Sequence, residues 1–161
     1  MKKICIALLF AAISFTTADA QKVYHEILKL SEKVANDKSK DLQTRKVATF
    51  KVDELKYMAM KMRELMPDST VTLLDNQAYA MYDFVNLYVK KLSEAKSKKD
   101  KALILDIFKS ASIQNPWFND MDLDLIEGYI RSEGYITSFS LDTNWMKAVE
   151  QARGELRRSG L

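Results

Sequence analysis

Apolar residues recur at intervals of three and four positions along most of this chain, which is the spacing of one face of an α-helix. The pattern begins with Val23, Ile27, Leu30 and Val34 and predicts a first helix that ends near Asn36. Glycine and proline, which usually interrupt helices, number only four and two. The chain is therefore expected to be helical over nearly all of its length.

Two longer helices are expected next. The second is predicted from about Leu42 to Met66, and Pro67 closes it because proline cannot continue a helix. We expect Asp68 or Ser69 to cap the third helix by accepting a bond from an unpaired backbone N–H. The predicted buried seam of this third helix consists of Leu74, Ala78, Met81, Val85, Tyr88 and Leu92.

The pattern changes at residues 93–100, which are rich in lysine and lack large apolar side chains, so we expect a bend there before a fourth helix. A fifth helix is predicted from an N-cap at Asn119 to about Gly134, a natural stop. Phe118 and Leu123 are spaced to pack against each other across the start of that helix.

The last helix is expected to begin after Asp142, which is placed to cap it. Its predicted buried face carries Trp145, Val149, Ala152 and Leu156. Short connections and the lack of a convincing strand predict an all-α fold, either an antiparallel bundle or an orthogonal array of about six helices.

The first twenty residues have a different pattern. A short positive region (Lys2, Lys3) precedes the apolar run 4–15, and the small residues of Ala18-Asp19-Ala20 follow it. This is the pattern of a cleaved secretory signal peptide, and the alternative of a membrane anchor is disfavoured because the run is too short to span a bilayer. We therefore expect a signal peptide over 1–20, a single helical domain over 21–161, and export to the periplasm or the medium.

Cleavage changes the composition of the domain that remains. Cleavage removes Cys5, the only cysteine of the chain. The remaining domain, 21–161, is therefore expected to be cysteine-free and to depend on its apolar core rather than on disulfides. The net charge falls by one from +3. Such a small excess, with lysines that are not interleaved with aromatic residues, argues against nucleic-acid binding. No second apolar stretch is long enough to span a membrane.

A methionine-rich stretch, 57–66, resembles the methionine motifs of exported copper-handling proteins, since thioethers prefer Cu(I). Met58 and Met60 point about 200° apart on a helix and cannot share one metal ion. Met58, Met62 and Met66 share a face, so they are weak candidates for a metal site. Core packing is the preferred interpretation, because methionine commonly fills irregular core gaps.

Other chemistry finds little support in the residue pattern. The acidic run 119–124 lacks the glycine and the distal carboxylate of a calcium loop. His25 is the only histidine, which is too few for a typical zinc site, although a haem held by His25 and a methionine is conceivable. Paired carboxylates acting on glycans stay an alternative. No catalytic residue and no cofactor is assigned, and the protein is expected to be non-enzymatic.

Two surfaces are candidates for binding a partner. Trp117 and Phe118 place two large aromatic side chains in a turn, where they either close the end of the bundle or form a docking site. The second candidate is a lysine bend that could meet an anionic surface or an acidic protein. It consists of Lys90, Lys91, Lys96, Lys98, Lys99 and Lys101.

The export signal ending in Ala18-Asp19-Ala20 before Gln21, followed by a helical chain rich in lysine and tyrosine, resembles the small secreted proteins of Bacteroidota whose function is unknown. That resemblance supplies no functional residues. The sequence predicts an exported helical module that binds a protein or an anionic surface. The alternatives are a carrier with a small ligand, copper or haem inside the bundle, and a carboxylate-dependent enzyme.

Overall fold

The computed structural model describes residues 22–124, 126 and 138–161. Within these residues the secondary structure consists of α-helices without any strand, which confirms the predicted all-α class. The predicted signal peptide and most of the helix expected between Asn119 and Gly134 lie outside the described residues. In the part of the chain that the structure describes, the helices are α1 (Lys22–Asn36), α2 (Leu42–Leu65), α3 (Val71–Glu94), α4 (Lys98–Ile113) and α5 (Trp145–Arg158).

Helix α3 is the centre of the arrangement, because it contacts all four of the other helices. α1 packs on α2 and α3, while α5 packs on α3 and α4. The expected seam of α3 is buried at Leu74, Ala78, Met81, Val85 and Tyr88. A continuous apolar seam on the central helix thus gives every other helix a surface on which to bury its own apolar face.

The core is rich in aromatic rings that meet edge to face, the arrangement favoured by their charge distribution. Phe84 of α3 is at its middle, with its ring centre 4.9 Å from that of Phe108 on α4. The Phe84 ring also lies 5.2 Å from the rings of Phe139 and Trp145. Phe50 of α2 completes the cluster at 5.7 Å from Phe139. These contacts bring α2, α3, α4 and α5 together.

The starts of α2 and α4 are capped by side chains close in sequence. Asp41 accepts a bond from the backbone N–H of Thr44 at the start of α2. At α4, Ser97 and Asp100 bond each other's backbone N–H groups, which is a complete capping box. The box ends the lysine-rich bend and starts α4 at Lys98.

Three of the predicted caps are wrong. The N-cap of α3 is Thr70, which makes no side-chain cap bond, rather than Asp68 or Ser69. The N-cap of α5 is Asn144, whose side chain accepts from Lys147 N–H, rather than Asp142.

Asn119 is the third wrong cap. It has a φ of 52°, in the left-handed region, whereas an N-cap residue normally has extended backbone. The expected packing of Phe118 on Leu123 also lacks support. Leu123 is 55% exposed, and Phe118 packs on other rings instead.

The start of α5 receives a second cap from a different helix. Gln77 of α3 is 1% exposed, and its side-chain oxygen accepts from the backbone N–H of Trp145 at 2.8 Å and of Met146 at 3.3 Å. Its amide nitrogen donates to the side chain of Asn144 at 3.1 Å. Gln77 therefore satisfies backbone donors that α5 leaves unpaired and fixes where α5 begins on α3.

We expect Gln77→Leu to lower the free energy of unfolding by about 2–3 kcal/mol, because it leaves buried N–H groups without an acceptor. Gln43→Leu is the matched control, since Gln43 is exposed on α2 and its substitution should change stability by less than about 0.5 kcal/mol. Urea unfolding of both variants is the measurement. Equal stabilities would contradict the capping role of Gln77.

Candidate functional site

A buried carboxylate holds the loop that carries Trp117 and Phe118. Asp142 is only 5% exposed. Its Oδ1 accepts from the backbone N–H of Trp117 at 2.9 Å and of Phe118 at 2.7 Å. Its Oδ2 accepts from the N–H of Asp120 at 2.9 Å. Three bonds to one charged acceptor fix the backbone of this loop, because hydrogen bonds to ionised groups are the stronger kind.

The local sequence explains why the loop can wrap around this carboxylate. Asn119 adopts the left-handed conformation, which asparagine tolerates better than most residues, and so turns the chain between Phe118 and Asp120. The carbonyl of Asn115 accepts from Asn144 N–H at 2.7 Å, which holds the two chain segments side by side. The donors of the loop therefore point inward at Asp142.

Trp117 and Phe118, here called the aromatic turn, are both half-buried. Their rings stack with centres 4.4 Å apart and planes inclined by 30°. The Phe118 ring meets Tyr57 of α2 edge to face at 6.0 Å. Beyond the turn, Met121 is 87% exposed. The aromatic turn thus neither disappears into the core nor stands free, but forms a supported apolar surface at one end of α4.

A polar cluster lies beside the aromatic turn. Asp120 Oδ2 accepts from the Tyr57 hydroxyl at 2.8 Å and pairs with Lys61 Nζ at 2.9 Å. Tyr57 and Lys61 are one turn apart on α2, so their side chains leave the same face. Burial and the bond to Asp120 raise the pKa of Tyr57, which keeps the phenol protonated and unsuited to act as a base. Burial acts to raise the pKa of Asp120, but bonds from Lys61 and others lower it overall.

Glu54 is the most enclosed acidic residue described, with 0% exposure. Its Oε1 accepts from the indole N–H of Trp145 at 2.7 Å, while Oε2 has no hydrogen-bond partner among the residues that the structure describes. Burial, with a contribution from the charge of Asp142, raises the pKa of Glu54 well above its ordinary value. The charge of Asp142 thus acts on Glu54, and both carboxyl groups are buried.

Lys51 is a second buried ionisable group on α2, only 7% exposed. Its Nζ donates to Asn86 Oδ1 at 2.7 Å and lies 4.4 Å from the centre of the Tyr82 ring, with both partners on α3. Among the described residues no carboxylate pairs with it. Burial lowers the pKa of Lys51 to about 7, so at neutral pH this amine is partly uncharged.

The methionine candidates lie at the core side of α2. Met58 is 0% and Met62 6% exposed, and both belong to the hydrophobic core. Met66 is half-buried at the C-cap of α2, and Met60 points outward with 47% exposure. Core packing therefore accounts for the positions of Met58 and Met62, as the helical spacing suggested.

The lysine bend is arranged around the connection from α3 to α4. Lys91 is half-buried, and the other five lysines are exposed. Lys90 and Lys91 each lie 3.9 Å from Glu94, so part of their charge is balanced. The bend adjoins the start of α4 and the aromatic turn follows its end, about 24 Å away along a helix of 16 residues. The two candidate surfaces are thus separate.

Sequence reasoning missed the buried polar residues, although a signal for two of them was present. Glu54 lies between Phe50 and Met58 at intervals of four, and Gln77 lies between Leu74 and Met81 at intervals of three and four. A polar residue on an otherwise apolar face indicates a buried hydrogen bond. No comparable signal identified Asp142, because its donors come from a loop 22–25 residues away.

The described residues contain neither a metal-ligand cluster nor a membrane-spanning helix. They contain no group of three or more His, Cys, Asp or Glu side chains placed to hold a metal ion. None of the helices within them has the length and apolar character required to cross a membrane.

Comparison with protein-family models, with curated proteins and with solved structures finds no match to this chain.

We expect Asp142→Asn to loosen the aromatic turn, because one of the two accepting oxygens becomes an NH₂ group. Either the N–H of Asp120 or the N–H groups of Trp117 and Phe118 then lose their acceptor. The free energy of unfolding should fall by about 1–3 kcal/mol. Acrylamide should also quench Trp117 fluorescence more strongly, while Trp145, which is 0% exposed, stays protected. Asp106→Asn on the exposed face of α4 is the control. Unchanged quenching and stability in Asp142→Asn would contradict the role of this carboxylate.

The two buried groups of α2 should give opposite pH dependences. Between pH 7 and 10.5 the unfolded chain keeps a proton on Lys51 that the folded chain lacks, so this group makes stability rise with pH. Above pH 4.5 the folded chain keeps a proton on Glu54 that the unfolded chain loses, so this group makes stability fall with pH.

Urea unfolding of Lys51→Met and Glu54→Gln from pH 4 to 10 tests these signs. The free energy of unfolding of Lys51→Met, relative to that of wild type, should be highest below pH 7. This difference should shrink by on the order of 4 kcal/mol towards pH 10.5. The relative stability of Glu54→Gln should increase as pH rises above 4.5. Curves that run parallel to wild type would mean that neither group is buried as described.

Proposed function

We propose that this protein is an exported, non-enzymatic helical module that docks a protein partner through the aromatic turn. The observation that carries the proposal is the clamp on the turn itself. The Asp142 carboxylate accepts hydrogen bonds from three backbone N–H groups of the loop that presents Trp117 and Phe118. A loop held in one conformation loses little freedom on binding, which favours affinity.

The chemistry of the surface supports a protein partner. Trp is among the residues most enriched where truncation weakens protein–protein binding. The half-buried aromatic rings are followed in the chain by Met121 and Leu123, which are 87% and 55% exposed. Exposed apolar side chains close together on a folded domain favour an interaction site. The adjacent Lys61–Asp120 pair gives this patch a polar edge.

The rest of the described structure favours binding over catalysis. The buried carboxyls Glu54 and Asp142 are enclosed, and the hydroxyl of Tyr57 is held protonated beside Asp120. Export follows from the pattern of residues 1–20. It is tested by the N-terminus of the protein recovered outside the cytoplasm, which should be Gln21.

Site-specific photo-crosslinking tests the docking surface. We expect p-benzoylphenylalanine at Met121, next to the aromatic turn, to give a discrete protein adduct in the native host. The same photo-crosslinker at Leu30, 43% exposed on α1, is the matched control and should not give that adduct. Trp117→Ala should abolish the adduct while the helical circular dichroism signal stays. Identical adducts from both positions, or none from Met121, would contradict the proposal.

A further inference from the structure

Helix α5 and Asn115, two residues after the end of α4, line a shallow, open surface groove of about 420 Å³. Asn115 forms one side, and α5 contributes Lys147, Glu150, Gly154, Arg157 and Arg158. This volume falls in the range of sites for small molecules. The groove lining does not include the aromatic turn.

The charge in the groove is unbalanced. Three cations line it, at Lys147, Arg157 and Arg158, against one carboxylate at Glu150. Within the described part of the chain, none of the three cations forms an ion pair. Arg153, one turn before Arg157 and not part of the groove lining, does form one, with Asp83 of α3 at 2.6 Å. The residues that line the groove therefore carry a net charge of about +2.

Helix electrostatics explain only part of this arrangement. Arg157 and Arg158 are in the last turn of α5, where cations interact favourably with the helix dipole. Lys147 is in the first turn, where a cation is unfavourable for the same reason. A role in the groove accounts for all three residues together.

Gly154 is a second, independent feature of the groove. Glycine inside a helix is less stable than alanine, and Gly154 has no positive φ that would require it. A Cβ built at this position would meet only the guanidinium of Arg158, at 3.5 Å, which is an ordinary contact. Neither conformation nor packing explains the glycine, whereas an open groove floor does.

We propose that this groove binds the phosphate monoester of a small hydroxylated molecule, such as a polyol or sugar phosphate. A phosphate monoester carries about −1.5 to −2 charges at pH 7, which matches the two unbalanced positive charges. Arginine guanidinium groups bind phosphate oxygens through paired, directional hydrogen bonds. The side-chain amides of Asn115 and Gln151 bond each other at 2.7 Å, and their N–H groups are used within the protein. Their oxygens are the atoms left to accept from ligand hydroxyls.

The same headgroup could be free or carried by a lipid, so two probes are needed. Glycerol 3-phosphate in calorimetric titration tests the free form, with glycerol as the uncharged control. Sedimentation with vesicles that contain phosphatidic acid tests the lipid-borne form, with phosphatidylcholine vesicles as control. Binding to either phosphate probe supports the proposal and identifies the source, and binding to neither overturns it.

Charge-matched variants separate the groove from general attraction. The double variant Arg157→Gln/Arg158→Gln should weaken binding at least tenfold. Lys98→Gln/Lys99→Gln removes the same charge from the lysine bend and should change binding less than twofold. Equal losses in the two double variants would overturn the proposal.

Gly154→Ala adds a readout that does not depend on charge. We expect a higher Tm, because alanine favours the helix, together with weaker phosphate binding, because the methyl group occupies the groove floor. A higher Tm with unchanged binding would contradict the role of the glycine and of this groove. Since the aromatic turn is untouched, crosslinking at Met121 should be unaffected by all of these variants.

Discussion

The structure depends on burying a polar turn, residues 139–144, whose side chains are held by hydrogen bonds within the turn, to α4 and to the aromatic turn. Ser140, Asp142 and Thr143 are each 5% exposed or less. The Ser140 N–H donates to Ser112 Oγ at 2.9 Å, and the Thr143 hydroxyl donates to the Ser140 carbonyl at 2.7 Å. Ser112 Oγ and Thr143 Oγ1 lie 2.8 Å apart, which closes a ring of bonds. An open ring would leave buried polar groups unpaired, at a cost of about 1–3 kcal/mol each.

This turn connects parts of the chain that the sequence holds far apart. Glu54 of α2 and Gln77 of α3 bind Trp145 at its ring and its backbone, and Ser112 of α4 binds the turn itself. Asp142 then extends the connection to the aromatic turn. Because the start of α5 is set by the same bonds, the turn positions both the proposed docking surface and the groove on α5.

The periodic part of the fold could be predicted from the sequence because it is local. The bounds expected for α1 and α2 agree with the structure within one residue, and the seam of α3 is buried as expected. The caps were predicted less well, because Asp142 and Gln77 act on groups in other segments. A carboxylate before a helix indicates a cap by proximity alone, and proximity could not show that Asp142 binds a distant loop instead.

The two candidate surfaces differ in how far the sequence could identify them. Trp117 and Phe118 were recognisable as aromatic residues in a turn, but their stacking depends on the clamp by Asp142. The α5 groove was not foreseen. The sequence places Arg157 and Arg158 at the end of a helix that also carries Lys147 and Gly154. It does not show that these residues line a groove, because Asn115, which forms the other side, comes from a distant part of the chain.

Amide hydrogen exchange of the folded protein, measured residue by residue, tests most directly whether the buried turn holds the fold together. The N–H groups of Ser140 and Trp145, with those of Trp117 and Phe118, are the informative ones because each bonds a side chain rather than a helix carbonyl. If the turn is the central constraint, these four N–H groups should exchange as slowly as those in the core of α3, because each exchanges only when the whole protein unfolds. Exchange at these four positions that is much faster than in α3 would show that the helices pack without the turn, and would contradict the account.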